Sequence, residues 1–192
     1  MIHTGLFSVL TKNNTSIQCR TNGNCTFALI LNKYTMEQAV KVRVLLDSKE
    51  KQDVFRDIEI KTSQNLEDLH HAIIDSVGFK SNEPASFYLS NEDWTREREI
   101  PLMDMGAEPG KDTTCMKDTL IGEVMVQKKQ KFIYIFDYFR MWTFLVEVEE
   151  INPIEKDETY PRITLSYGEA PDQESKEPTD MFGSEPFNGE DL

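Results

Sequence analysis

The residues best suited to chemistry gather in two places: Asp68, His70, His71 and Asp75 stand on one short segment, and Asp137 sits among tyrosines and a tryptophan. Imidazole and carboxylate groups bind divalent cations and move protons near neutral pH, so metal ligation and general acid–base catalysis are the chemistries to weigh. His71 and Asp75 are four apart and would share one helix face. Two ligands do not hold a metal, and the sequence supplies no third or fourth at a matching spacing, so no metal site is expected and the pair reads as a helix-surface contact. His70 differs. At about 100° per residue it falls in the apolar arc of the same helix, where an imidazole must find hydrogen-bond partners or lose its charge. A core histidine is the expectation; the competing reading is a remnant catalytic cleft in which His70 and Asp137 converge.

Nucleophilic chemistry finds no arrangement to support it. No Ser or Cys stands beside a base and an oxyanion-stabilising turn, Cys115 lacks the cationic surroundings that activate a thiolate, and no Gly-rich phosphate loop is present. No catalytic residue and no cofactor are therefore expected. Aromatic residues cluster instead: Tyr134, Phe136, Tyr138, Phe139, Trp142 and Phe144. Alternate members of the run are explained by core packing. Those left at the turn, Tyr138, Phe139 and Trp142, together with the loop residue Trp94, are expected to form an exposed aromatic surface, the usual mark of a protein partner.

The charge balance narrows the partners further. Lys and Arg number 21 against 34 Asp and Glu in 192 residues, a net charge of −13. Nucleic acid and anionic membrane surfaces both require clustered cations, and the longest cluster here is Lys128-Lys129 with Lys131, so neither is an expected partner. No apolar run approaches the ~18 residues of a spanning helix. The three cysteines lack zinc-type spacing and read as reduced thiols, which places the protein in the cytoplasm as an expectation.

These groups must be held by a framework that the apolar periodicity outlines. Val40 to Leu46 and Val54 to Ile60 alternate as two strands of an antiparallel hairpin. Leu66 to Val77 is a helix with Asn65 as its cap, Glu67 and Asp68 in the first turn, Gly78 at its end, and Leu66, Leu69, Ile73, Ile74 and Val77 on its buried face. Ala85 to Ser90 is a short strand, and a further one lies around Glu99 to Met103. A second helix, capped by Asp118 or Thr119, covers Leu120 to Val126. Phe132 to Tyr138 and Trp142 to Ile151 form a long central hairpin, and Tyr160 to Tyr167 is a last strand that Pro161 confines to an edge. The order predicts an α+β fold, a mostly antiparallel sheet of about five to seven strands with two helices packed on it.

Three stretches differ in composition. Residues 1–35 contain no Asp or Glu, whereas the rest of the chain holds all 34. This head is expected to be a disordered extension or an artefact of start-site choice, with Met36 as the natural start. Residues 36–168 form the domain. Residues 169–192 are rich in acids and prolines and are expected to be a disordered tail. Within it Met181, Phe182 and Phe187 are apolar residues among acids, and Phe182 is a candidate anchor for a hydrophobic groove.

Several runs resemble the plasmid pRiA4b ORF-3-like family, whose members are also labelled passenger proteins of an insertion element. Leu66-Glu67-Asp68-Leu69-His70-His71-Ala72-Ile73, closing in Gly78-Phe79, is similar to that family's L-x-D-L-H-x-x-I helix. Lys131 to Tyr138 followed by Trp142 resembles its Y-x-Y-D-F-G-D-x-W hairpin, and Tyr160-Pro161-Arg162 its Y-P-R approach to the C-terminal segment. The likeness spans roughly residues 38–173. Where the family has Gly-Asp this chain has Phe139-Arg140, where it has His two residues after Trp this chain has Phe144, and the Cys after Y-P-R is Ile163. The resemblance implies a compact α+β domain with helices packed on an antiparallel sheet, and no settled biochemical role. The function expected is therefore a non-enzymatic interaction or accessory module with a protein partner. The alternatives are the remnant His70–Asp137 cleft and, from the passenger label alone, a DNA transaction.

Overall fold

Alternation of apolar and polar residues builds most of this structure, a computed structural model that describes residues 37–47, 53–80, 82–104 and 114–177, with the backbone of 8–10 and 16–18. The chain divides into two units, Met1–Met36 and Glu37–Leu192. In the first, β1 (Ser8–Leu10) and β2 (Ser16–Gln18) pair antiparallel. The rest of the head expected at 1–35, and Phe182 with the tail beyond 177, lie outside the described residues.

The second unit contains β3 (Gln38–Asp47), β4 (Val54–Lys61), α1 (Leu66–Val77), β5 (Ala85–Ser90), β6 (Arg96–Pro101), α2 (Ile121–Val124), β7 (Lys131–Phe136), β8 (Trp142–Pro153) and β9 (Arg162–Tyr167). The seven strands form one antiparallel sheet in the order β6-β5-β7-β8-β3-β4-β9. The sheet dominates the α+β architecture. α1 packs on one face. Its Leu66, Leu69, Ile73 and Ile74 are sealed against Val42, Ile58, Tyr134 and Phe144, the inward residues of four strands. Both expected hairpins are present, and β9 is an edge strand.

α1 starts and stops where its caps dictate. The Asn65 side chain accepts the Asp68 N–H at 2.9 Å, and the Asp68 carboxylate accepts the Asn65 N–H at 3.2 Å, so two otherwise orphaned donors are satisfied reciprocally. At the other end Gly78 takes a left-handed φ of 74° that returns the chain and lets the Phe79 N–H bond the Ile74 carbonyl. The second helix is shorter than its apolar pattern suggested. A 3₁₀ turn over Met116–Asp118 comes first and α2 is one turn long. Thr119 spends its hydroxyl on the Cys115 carbonyl and its own carbonyl on Leu66 N–H, so it ties the segment to α1 rather than capping a longer helix.

β7 also ends earlier than expected, at Phe136, because Asp137 enters the left-handed region with φ 56° and opens the turn. The chain does not leave the domain at Glu169. The carbonyl of Gln173 accepts the Trp142 Nε1–H at 3.0 Å, the Gln173 side chain accepts the Lys80 N–H at 2.7 Å, and Ala170 packs against the core. Residues 169–177, read from the sequence as the start of a tail, are thus tied to the domain by hydrogen bonds between side chains and backbone that composition does not reveal.

Candidate functional site

His70 lies wholly inside the core and bonds Tyr134, not Asp137. Its Nδ1 is 2.6 Å from the Tyr134 hydroxyl, and its Nε2 is buried with no hydrogen-bond partner among the described residues. Burial, reinforced by neighbouring His71, lowers the His70 pKa to about 4. Burial likewise raises the Tyr134 phenol well above its ordinary value. Both groups are thereby held neutral at pH 7, sealed from solvent, and unable to meet a substrate.

Asp137 performs a different task. One of its carboxylate oxygens accepts the N–H groups of Phe139 and Arg140 at 3.0 and 3.2 Å, and the other accepts Arg140 Nη1 at 3.1 Å. Every one of these bonds closes the β7–β8 turn. His70 and Asp137 therefore do not form the catalytic pair weighed from sequence.

The aromatic residues of that turn do not assemble into one exposed surface. Trp142 is 3% exposed because it opens β8 on the core face opposite Phe136, with Phe79 against its ring and the Lys176 ammonium 5.4 Å above it. Tyr138 is half-buried and turns toward Glu99. Phe139 alone is exposed, at 62%. Trp94 is half-buried beneath Lys131, whose ammonium lies 5.0 Å from the ring.

A polar cluster that the sequence did not reveal surrounds Glu99. Its Oε1 accepts from the Ser86 hydroxyl at 2.6 Å and the Tyr88 hydroxyl at 2.9 Å, and the Tyr138 hydroxyl bonds Ser86. Burial raises both phenols above their ordinary range. These bonds fasten the β7–β8 turn to β5 and β6. Among the described residues, cavities open at the C-terminal end of α1 and beside its outer side. One, of about 360 Å³, lies between Gly78–Lys80, Arg140 and residues 171–174; the other, of about 320 Å³, is lined by Asp68, His71, Asp75 and Arg162. In the second, Arg162 is already bonded to Glu59, Glu155 and Glu158. Among the described residues no group of three His, Cys, Asp or Glu side chains is placed to hold a metal.

A further organised surface is the face of the sheet opposite α1. Residues directly opposed on neighbouring strands share a face. The registers therefore place Tyr167, Phe55, Leu45, Leu145, Ile133 and Tyr88 in one continuous row across six strands, on that face. Five strand spacings make the row about 24 Å long. Ile133 is buried, Tyr167 is 53% exposed, and the other four are half-buried. Phe55 and Tyr167 stack at 5.0 Å, and the Arg43 guanidinium lies 4.8 Å from the Phe55 ring. Beside the apolar row runs a charged one, Asp57, Arg43, Glu147 and Lys131 on β4, β3, β8 and β7, alternating in sign. The alignment of the apolar row depends on pairings between strands far apart in the chain.

Comparison with known proteins agrees with this architecture. A crystal structure of a protein of unknown function, MM3350 from Methanosarcina mazei Go1, is similar with a TM-score of 0.60 and 20% identity, over 77% of this chain and 79% of that one; at that identity the likeness is one of fold. No curated protein sequence matches the chain. The family model described as plasmid pRiA4b ORF-3-like protein matches residues 38–181, and the chain belongs to that family.

Proposed function

We propose that the chain is a non-enzymatic protein-interaction module that binds its partner across the face of the sheet opposite α1. The observation that carries this reading is the continuous row of Tyr167, Phe55, Leu45, Leu145, Ile133 and Tyr88, five of which keep part of their surface open to solvent. An organised apolar patch bordered by charge is what a partner surface offers, while isolated apolar residues on a surface need no explanation. The sealed position of His70 and the use of Asp137 within its own turn favour a binding role over catalysis. A net charge of −13 weighs against nucleic acid as the partner. Affinity capture should compare the full chain with its Leu45→Glu variant, which puts a charge at the middle of the row. A partner held by the wild type should be lost, with the far-ultraviolet circular dichroism spectrum unchanged. Capture that is indifferent to Leu45→Glu would overturn the assignment of this face.

A further inference from the structure

We infer that the partner of this face is a second copy of the same chain, packed sheet to sheet about a two-fold axis that runs parallel to the strands between β3 and β8. The inference rests on the binding role proposed above and deepens it. Its basis is the symmetry of the two rows. Counted outward from the midpoint between β3 and β8, the apolar row reads Leu45, Phe55, Tyr167 on one side and Leu145, Ile133, Tyr88 on the other. A half-turn about the axis lays β3 on the partner's β8, β4 on its β7 and β9 on its β5. Leucine then meets leucine, phenylalanine meets isoleucine and tyrosine meets tyrosine.

The charged row obeys the same axis. Its order is Asp57, Arg43, Glu147, Lys131, and an alternating set of four read backwards is its own complement. Arg43 of one copy therefore faces Glu147 of the other, and this contact occurs twice; Asp57, 2% exposed and held by Arg43, and Lys131, paired with Glu92, mark the outer positions of the row. Alternating charges already favour cross-strand pairing within a single sheet, as the 2.8 Å Arg43–Asp57 pair illustrates. That local benefit does not require the apolar row and the charged row to share one centre. A self-complementary surface does.

The geometry suits known sheet packing. Rotation about an axis parallel to the strands keeps the two sheets aligned, the arrangement in which twisted sheets stack about 10 Å apart with interleaved side chains. Strand twist draws the outer strands apart, so the contact concentrates on Leu45, Arg43, Leu145 and Glu147.

Sedimentation equilibrium of the full chain tests the inference. The wild type should be a dimer, and Leu45→Glu and Glu147→Arg should each weaken it by about tenfold or more. Arg43→Glu should do the same alone, but mixing Arg43→Glu chains with Glu147→Arg chains should restore a dimer, because only the mixed pair faces opposite charges. Glu147→Arg leaves the Arg43–Asp57 pair in place, so it and Leu45→Glu decide the matter even where Arg43→Glu does not fold; thermal melting follows each variant. A monomeric wild type at every concentration, or a dimer unmoved by Leu45→Glu, overturns self-association. A dimer that Leu45→Glu weakens while mixed charge variants fail to pair overturns this axis. If self-association fails but Leu45→Glu still releases a different captured partner, the binding role of the face survives. If neither association nor capture responds, both fall.

Discussion

Tyr134 governs what His70 can do. An ionised imidazole has two N–H donors, and here Tyr134 could accept from one while the other would remain buried without an acceptor. The neutral ring avoids that loss, and burial, with His71 beside it, sets the pKa of His70 near 4 in place of its ordinary 6.5. Because the folded value is the lower one, the unfolded chain takes up this proton first as the pH falls. Stability from this group is complete above pH 6.5 and declines as the pH drops from 6.5 toward 4, by about 3 kcal/mol over that window. Chemical denaturation of wild type and His70→Leu across pH 7.5 to 4 should show a steeper loss in the wild type; equal slopes would refute the assignment. Helical spacing places His70 on the inner face of α1 from sequence alone. Its partner was not legible, since Tyr134 is 64 residues away on a strand that only folding brings beneath the helix.

At the level of elements, one buried side chain fastens the end of the C-terminal strand. Arg56 occupies an inward position on β4, is 6% exposed, and bonds the carbonyls of Phe55, Tyr167 and Gly168 through Nη1 and that of Ser76 through Nε. It thus ties the end of α1 to the end of β9. The chain turns sharply there. Gly168 has φ 72°, and a Cβ on it would come within 2.4 Å of the Asp53 carbonyl, so only glycine fits. Arg56→Met keeps most of the volume but strands those carbonyls, and should destabilise the domain by about 3 kcal/mol. Hydrogen exchange should quicken first in β9; a variant as stable as the wild type, with β9 equally protected, would show that the arginine is dispensable. Element boundaries were legible wherever a cap or glycine marked them, as for α1 between Asn65 and Gly78. They were missed where a backbone reversal ended the element, as at Asp137, because left-handed φ in a non-glycine residue leaves little trace in composition.

For the whole molecule the dominant long-range force is self-repulsion. With 34 acids against 21 bases, the folded chain gathers like charge that the unfolded chain spreads out. Surface pairs such as Lys129–Glu147 contribute little each. Raising salt from low to physiological concentration should therefore raise the melting temperature by a few degrees, as screening shortens the Debye length from about 30 to about 8 Å. A fall would mean that the ion pairs outweigh the repulsion. By itself, the sequence determined the family, the α+β class, the central hairpin, the caps and buried face of α1 and the edge position of the last strand, because periodicity and capping are local properties. The tertiary structure alone decided which strands are neighbours and in what register. That is why the sequence suggested an aromatic surface at the β7–β8 turn, whereas the fold buries Trp142 and aligns Phe55, Leu45 and Leu145 into a row. Side-chain alternation assigns each residue to a face, but pairing between β3 and β8, about a hundred residues apart, depends on the packed core beneath them.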